Sequence, residues 1–187
     1  MDLAFPLVRD HAIKFCKEII ERGYAKKFRW STECRVKPLD EELPMLMKKA
    51  GCVRVCFGIE SGDDKILKAL KKNFIVEDVR NAVKFAHKVN LQVDGMFMIG
   101  LPGETEGTIN KTIEFAIELK LRYAIFNLFV PVAVPGVDPK ILNPSLSWSN
   151  KSLYYDGTKK LAKLQKKDPV HYSYKICFIK AVFLLIN

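Results

Sequence analysis

The residues that could carry chemistry sit at the ends of two short apolar runs. In Cys52-Val53-Arg54-Val55-Cys56-Phe57-Gly58-Ile59-Glu60, β-branched and aromatic residues recur at every second position, the period of a strand. That alternation sets Val53, Val55, Phe57 and Ile59 on one side, and Cys52, Arg54, Cys56, Gly58 and Glu60 on the other. The first set suits packing under helices. The second delivers a carboxylate, Glu60, and a hydroxyl, Ser61, to the C-terminal end of a strand, where parallel α/β folds bind ligands. Gly58 leaves room for a ligand to approach the backbone, Gly62 opens the turn, and Asp63 can cap the helix that follows. The alternative is that Glu60 itself caps that helix and touches nothing else.

The second run is Asp94-Gly95-Met96-Phe97-Met98-Ile99-Gly100-Leu101-Pro102-Gly103-Glu104-Thr105. Glycines inside a strand pattern mean close backbone approach, a bulge or both. The apolar residues between them offer flat contacts and free peptide groups to a planar ring. Pro102-Gly103 then turns the chain into a helix with Thr105 as its expected N-cap. Read alone, the same residues are equally a tight strand-to-helix turn.

The five cysteines, at 16, 34, 52, 56 and 177, suggest neither a metal site nor a disulfide framework. Cys52 and Cys56 point the same way but lie about 13 Å apart along a strand that rises about 3.3 Å per residue, too far to share an ion or a bond. They read as core residues. No Cys-x-x-Cys, no Cys-x-x-x-Cys-x-x-Cys and no pair among His11, His87 and His171 has metal-ligand spacing. A Gly-x-Ser-x-Gly, a P-loop and a dinucleotide fingerprint are missing too.

The elements that must position these residues alternate in type. A helix over 11–22, with Ile13, Cys16, Ile19 and Ile20 on one face and Gly23 as its stop, precedes a strand over 28–36. Asp40 opens a second helix, with Glu41 and Glu42 in the first turn, Pro44 early enough to be tolerated, and Gly51 as the stop. After strand 52–60 come helical patterns over 63–71 and 76–89, a strand over 91–99, a helix over 105–119 and a strand over 123–130. Parallel neighbours need a crossover helix, so this grammar predicts an α/β fold of βα units. Residues 136–150 lie in a loop rich in Pro, Gly, Ser and Asn. Residues 151–187 form a basic extension, with a helix over 151–167 and a segment over 170–187 that fits helix or strand.

Taken together, Phe57-Gly58-Ile59-Glu60-Ser61-Gly62 and Gly95 through Thr105 resemble the radical S-adenosylmethionine (SAM) superfamily. Arg35-Val36, Asp40-Glu41-Glu42-Leu43 and Met47-Lys48-Lys49-Ala50-Gly51-Cys52 resemble the branch whose members often carry an N-terminal cobalamin-binding domain. The similarity covers about residues 2–135. It implies a partial TIM-type (β/α)6 barrel, here its last four strands with outer helices. It also implies a [4Fe-4S] cluster that cleaves SAM to a 5′-deoxyadenosyl radical.

By this resemblance Glu60 and Ser61 contribute to the ribose and methionine side of SAM. Met98, Ile99 and Gly100 line the adenine, and Phe126 and Asn127 add backbone near it. Arg35 can pair with a carboxylate of SAM or substrate, a structural ion pair being the alternative. The family's three cluster cysteines and its glycine-glycine-glutamate segment have no counterpart here. The expectation is therefore a part of such an enzyme, inactive as this chain alone, with cobalamin in a domain outside it.

Composition bounds the alternatives. The chain has 187 residues, 49% hydrophobic and 28% charged, so it can bury a core. Of its +10 net charge, six come from residues 151–187, with eight Lys against two Asp. The tail lysines Lys159, Lys160, Lys163, Lys166 and Lys167 wrap around much of a helix, which argues for a solvated face over nucleic-acid binding. An open sheet edge would pair with the missing N-terminal barrel portion or with another copy, giving a noncatalytic binding or oligomerisation module as the second reading. The sequence start lacks a basic signal-peptide segment, and the apolar stretch 176–186 is shorter than the roughly 20 residues a bilayer needs, so a cytoplasmic location is expected.

Overall fold

The computed structural model describes Phe5 and residues 8–129. Helix α1 (Arg9–Glu21) and a 3-10 turn at Tyr24–Lys26 lead into strand β1 (Trp30–Cys34), helix α2 (Glu42–Lys49) and strand β2 (Cys52–Glu60). Helices α3 (Asp64–Ala69) and α4 (Val76–Lys88), strand β3 (Gln92–Ile99), helix α5 (Glu106–Glu118) and strand β4 (Tyr123–Leu128) follow. The expected strand over 28–36 is shorter than its pattern. The N–H groups of Lys27 and Phe28 are committed to the Tyr24 carbonyl at 2.8 and 3.2 Å, which holds them in the turn. The loop at 136–150 and the extension at 151–187 lie outside the described residues.

The four strands form one parallel sheet in the order β1-β2-β3-β4, each joined to the next through one or two helices. One face is packed. Val55, Phe57, Ile59, Val93, Phe97, Ile99, Ala124 and Phe126 are buried there among Leu43, Met47, Val79, Val83, Ile109 and Ile113 from the helices. On the other face Arg54, Cys56, Gly58, Glu60, Met96, Met98, Ile125 and Asn127 are only half-buried. A parallel sheet with its helices on one side is a barrel wall; a doubly wound sheet is covered on both.

Cys52 and Cys56, set on one face by the alternation and both read as core residues, divide between the two readings. Cys52 is buried, as its core reading expects and against its place in the alternation, its Sγ donating to the Arg54 carbonyl at 3.4 Å where it enters the sheet directly from the α2–β2 turn. Cys56 stays on the open face that the alternation gives it and is half-buried beside Asp94, because no helix covers that face, so the core reading fails for it. In α1 the buried stripe is Ala12, Cys16 and Ile19, one step round from the expected face, so Ile20 is exposed. On the free side of β1, Phe5 forms a parallel bridge with Cys34. Phe5 donates to the Glu33 carbonyl at 2.8 Å and accepts from Arg35 N at 3.1 Å.

Candidate functional site

A cleft of about 580 Å³ opens at the C-terminal ends of β1 and β2, lined among others by Glu33, Arg35, Gly58, Glu60, Lys72 and Met96. Glu60 holds it together. The register slips between Gly58 and Glu60, leaving Ile59 as an extra residue opposite Met96 and Phe97 of β3, and Glu60 takes a left-handed φ of 72°. Non-glycine residues at such angles are uncommon and tend to occur at ligand sites. The Glu60 Oε1 accepts from Lys72 Nζ at 3.0 Å. Helix capping, the alternative role for Glu60, falls to Asp63, whose Oδ1 accepts from Lys65 N at 2.9 Å and Ile66 N at 3.4 Å.

The turn after Glu60 is locked from behind. Thr112 in α5 donates to the Thr108 carbonyl at 2.9 Å and accepts from Gly62 N at 3.0 Å. With its own proton used, Thr112 Oγ1 is the acceptor for Ser61 Oγ at 3.2 Å, and Ser61 Oγ in turn accepts from Asp63 N at 3.2 Å. Ser61 is fully buried, so its hydroxyl sets the turn and does not face the cleft. Lys111 holds Asp63 Oδ2 at 3.0 Å, and this cation with the two backbone N–H groups keeps the Asp63 carboxyl below its ordinary range despite burial. A Cβ on Gly62 would sit 2.8 Å from Thr112 Cα and Phe115 Cβ, so the glycine is what lets the turn reach α5.

The second run splits by face. Met96 lines the cleft, and Met98 and Asn127, register partners, continue the same half-buried face. The side chains of Ile99 and Phe126 are in the core, the latter stacked on Phe97 at 5.0 Å, so only their backbone is left for a ligand. Gly95 faces the core too. A Cβ there would meet Leu121 Cδ1 at 2.7 Å and Ile59 Cδ1 at 2.9 Å, so the close approach expected of it is packing and not ligand contact. Gly100, at φ 91°, turns the chain out of β3, and Arg35 is exposed at the cleft rim.

Glu104, to which the local pattern gives no role, anchors the turn after β3. Its Oε2 accepts from Gly100 N at 2.7 Å and Leu101 N at 2.9 Å. Its Oε1 is buried without a hydrogen-bond partner among the described residues. Burial pushes the carboxyl up to about 7, against the pull of the two N–H groups. The Asp94–Arg122 pair, Lys72 and Thr112 were also missed, because each partner lies far away in sequence and no local pattern marks it.

Residues 4–116 match the Radical SAM superfamily, and the chain belongs to it. Over 131 residues it is 35% identical to an uncharacterized methyltransferase of Pyrococcus horikoshii, covering 70% of this chain and 28% of that protein. It is 28% identical over 125 residues to the anaerobic magnesium-protoporphyrin IX monomethyl ester cyclase of Cereibacter sphaeroides, covering 66% of this chain and 20% of the cyclase. Its fold is also that of the radical S-adenosylmethionine methyltransferase TsrM of Kitasatospora setae, solved with cobalamin and a [4Fe-4S] cluster bound. The TM-score is 0.64 at 23% identity over 69% of this chain and 27% of TsrM. The chain thus spans 20% to 28% of the length of these proteins.

The cleft can admit a polar ligand. Glu60 is a half-buried acceptor in an open cleft, and a Cβ on Gly58 would meet nothing nearer than Glu60 Oε1 at 3.5 Å, so backbone is accessible beside it. The described cysteines do not fit an iron-sulfur cluster. Cys16, Cys34 and Cys52 are buried with thiols pushed up by desolvation, and no group of three metal-binding side chains occurs among the described residues. No described helix is long and apolar enough to cross a membrane.

Proposed function

We propose that this chain supplies the adenosyl-facing wall of the SAM pocket of a radical SAM enzyme. The observation that carries the reading is Glu60, left-handed at a strand end and half-buried in the cleft beside Gly58 and Met96. In this reading Glu60 accepts from the ribose hydroxyls, and Ser61 holds the turn that presents it. Met98, Gly100 and the backbone of Ile99, Phe126 and Asn127 lie along the adenine. Arg35 faces a carboxylate of SAM or substrate. Bound SAM would supply the activated methyl and 5′-deoxyadenosyl carbons. The cysteines of this chain lack the spacing of a cluster motif, so in this reading the chain contributes SAM contacts and the radical chemistry belongs to the complete enzyme. Cobalamin follows only from the branch resemblance, and no described residue is assigned to it.

Titration calorimetry with S-adenosylhomocysteine tests the reading. Micromolar to millimolar binding that Glu60→Ala weakens by about tenfold or more supports it, the cost of a lost hydrogen bond to a charged group. Equal binding by both proteins sinks it.

A second reading has its own observation. Phe5, Phe15 and Trp30 pack edge to face at 5.6 to 5.8 Å beside β1, and Phe15 and Val8 stay exposed at 47% and 46%. Such a seam suits pairing with the preceding part of a barrel or with a second copy. A concentration-independent monomer mass by light scattering would remove the second copy from this reading.

A further inference from the structure

We propose that Lys72 is a positioning residue for Glu60: it occupies Oε1 and leaves Oε2 as the acceptor for a ribose diol. This rests on the SAM-pocket reading above and adds to it a residue from a different element.

The position of Lys72 is fixed by how α3 ends. Lys71 N donates to the Lys68 carbonyl at 3.0 Å and Lys72 N to the Leu67 carbonyl at 3.0 Å, with Lys71 left-handed at φ 55°. That pair of bonds is a Schellman closure, which fixes the direction in which the chain leaves the helix. Two residues on, Phe74 is buried in the core, so the loop is anchored on both sides of Lys72. The ammonium lies 5.9 Å from the Phe74 ring centroid and 3.0 Å from Glu60 Oε1. The Lys72 and Glu60 side chains are 31% and 19% exposed, which places the pair at the cleft wall and not in bulk solvent.

The carboxylate needs such a partner. A left-handed backbone at Glu60 determines where its side chain starts but not how the carboxylate is turned. Among the described residues Lys72 is the only ion-pair partner of Glu60, and none of them donates to Oε2. A ribose diol donates two O–H groups to an acceptor that must be correctly turned before it arrives, and fixing the rotamer in advance removes that ordering cost from binding.

The test is a double-mutant cycle by titration calorimetry with S-adenosylhomocysteine on the full chain, using Glu60→Ala, Lys72→Met, Lys72→Arg and the Glu60→Ala/Lys72→Met pair. Lys72→Met should weaken binding by about threefold to fivefold, the scale of a partly exposed ion pair, and Lys72→Arg should stay within about twofold. The double variant should bind no more weakly than Glu60→Ala alone. If the Lys72→Met loss recurs in full on top of Glu60→Ala, the lysine merely supports the cleft wall and the inference fails. It fails too if Lys72→Met costs nothing while Glu60→Ala does. If Glu60→Ala changes nothing, the SAM-pocket reading itself has failed and takes this inference with it. Lys72→Gln, with melting temperature recorded, serves if Lys72→Met folds poorly.

Discussion

Arg122 clamps Asp94 through two parallel hydrogen bonds, Nε to Oδ1 at 2.9 Å and Nη2 to Oδ2 at 3.0 Å. The Asp94 side chain is 6% exposed, Arg54 approaches it at 3.8 Å, and the Arg122 guanidinium stacks 4.3 Å from the Tyr123 ring. This closes the open face of the sheet at the end away from Glu60 with paired charge, while the C-terminal ends of the strands stay free for a ligand.

Arg122→Ala should therefore destabilise the chain without touching the cleft. A largely buried carboxylate deprived of its main partner costs roughly 3 kcal/mol, lessened here by Arg54 and by the half-exposed arginine. Urea denaturation should show a loss of about 2 kcal/mol, with nucleoside binding unchanged in whatever fraction remains folded. A loss below about 0.5 kcal/mol would mean that the clamp contributes as little as a surface pair.

Gly62→Ala should loosen the turn that carries Glu60. The added methyl would press on backbone and on a buried side chain of α5, and overpacking of this kind costs about 1–3 kcal/mol. Thr112→Val, which removes the shared acceptor of Gly62 and Ser61, should cost a similar 1–2 kcal/mol or so. Both should lower the midpoint of chemical denaturation, and wild-type midpoints would contradict the turn's role as a scaffold.

Glu104 should make the stability depend on pH near neutrality. Its carboxyl is held at about 7 against an ordinary 4.5, so the folded chain binds that proton more tightly than the unfolded chain. The contribution is full below pH 4.5 and is lost as the pH rises through about 7. Denaturation free energies at pH 5 and pH 8 should differ by about 2 kcal/mol in favour of pH 5, and Glu104→Gln should flatten the difference. A wild-type profile that is flat or rises with pH would place the turn's stability elsewhere.

What the sequence made legible follows from the range of each interaction. Strand β2 was readable to its end residues because period-2 alternation is local, and Asp63 and Thr105 were readable as caps because a cap acts within three residues. Which side of the sheet a residue faces was legible from Arg54 to Glu60 in β2 but not for Cys52, Gly95, Ile99 and Phe126. For the last three a run apolar on both faces conceals the alternation. Ser61 looked like a ligand group because its acceptor, Thr112, is 51 positions away. Lys72 had no signal at all, since only the closure of α3 brings it to Glu60.

The central claim, that the face carrying Met96 and Met98 receives the adenosyl group, is tested most directly by labelling the methionine methyl groups with carbon-13 and adding S-adenosylhomocysteine. The Met98 and Met96 signals should shift, while that of Met47, fully buried on the inner face of α2, stays in place. Shifts confined to Met45, exposed on the outer surface, or no shift at saturating ligand would contradict it.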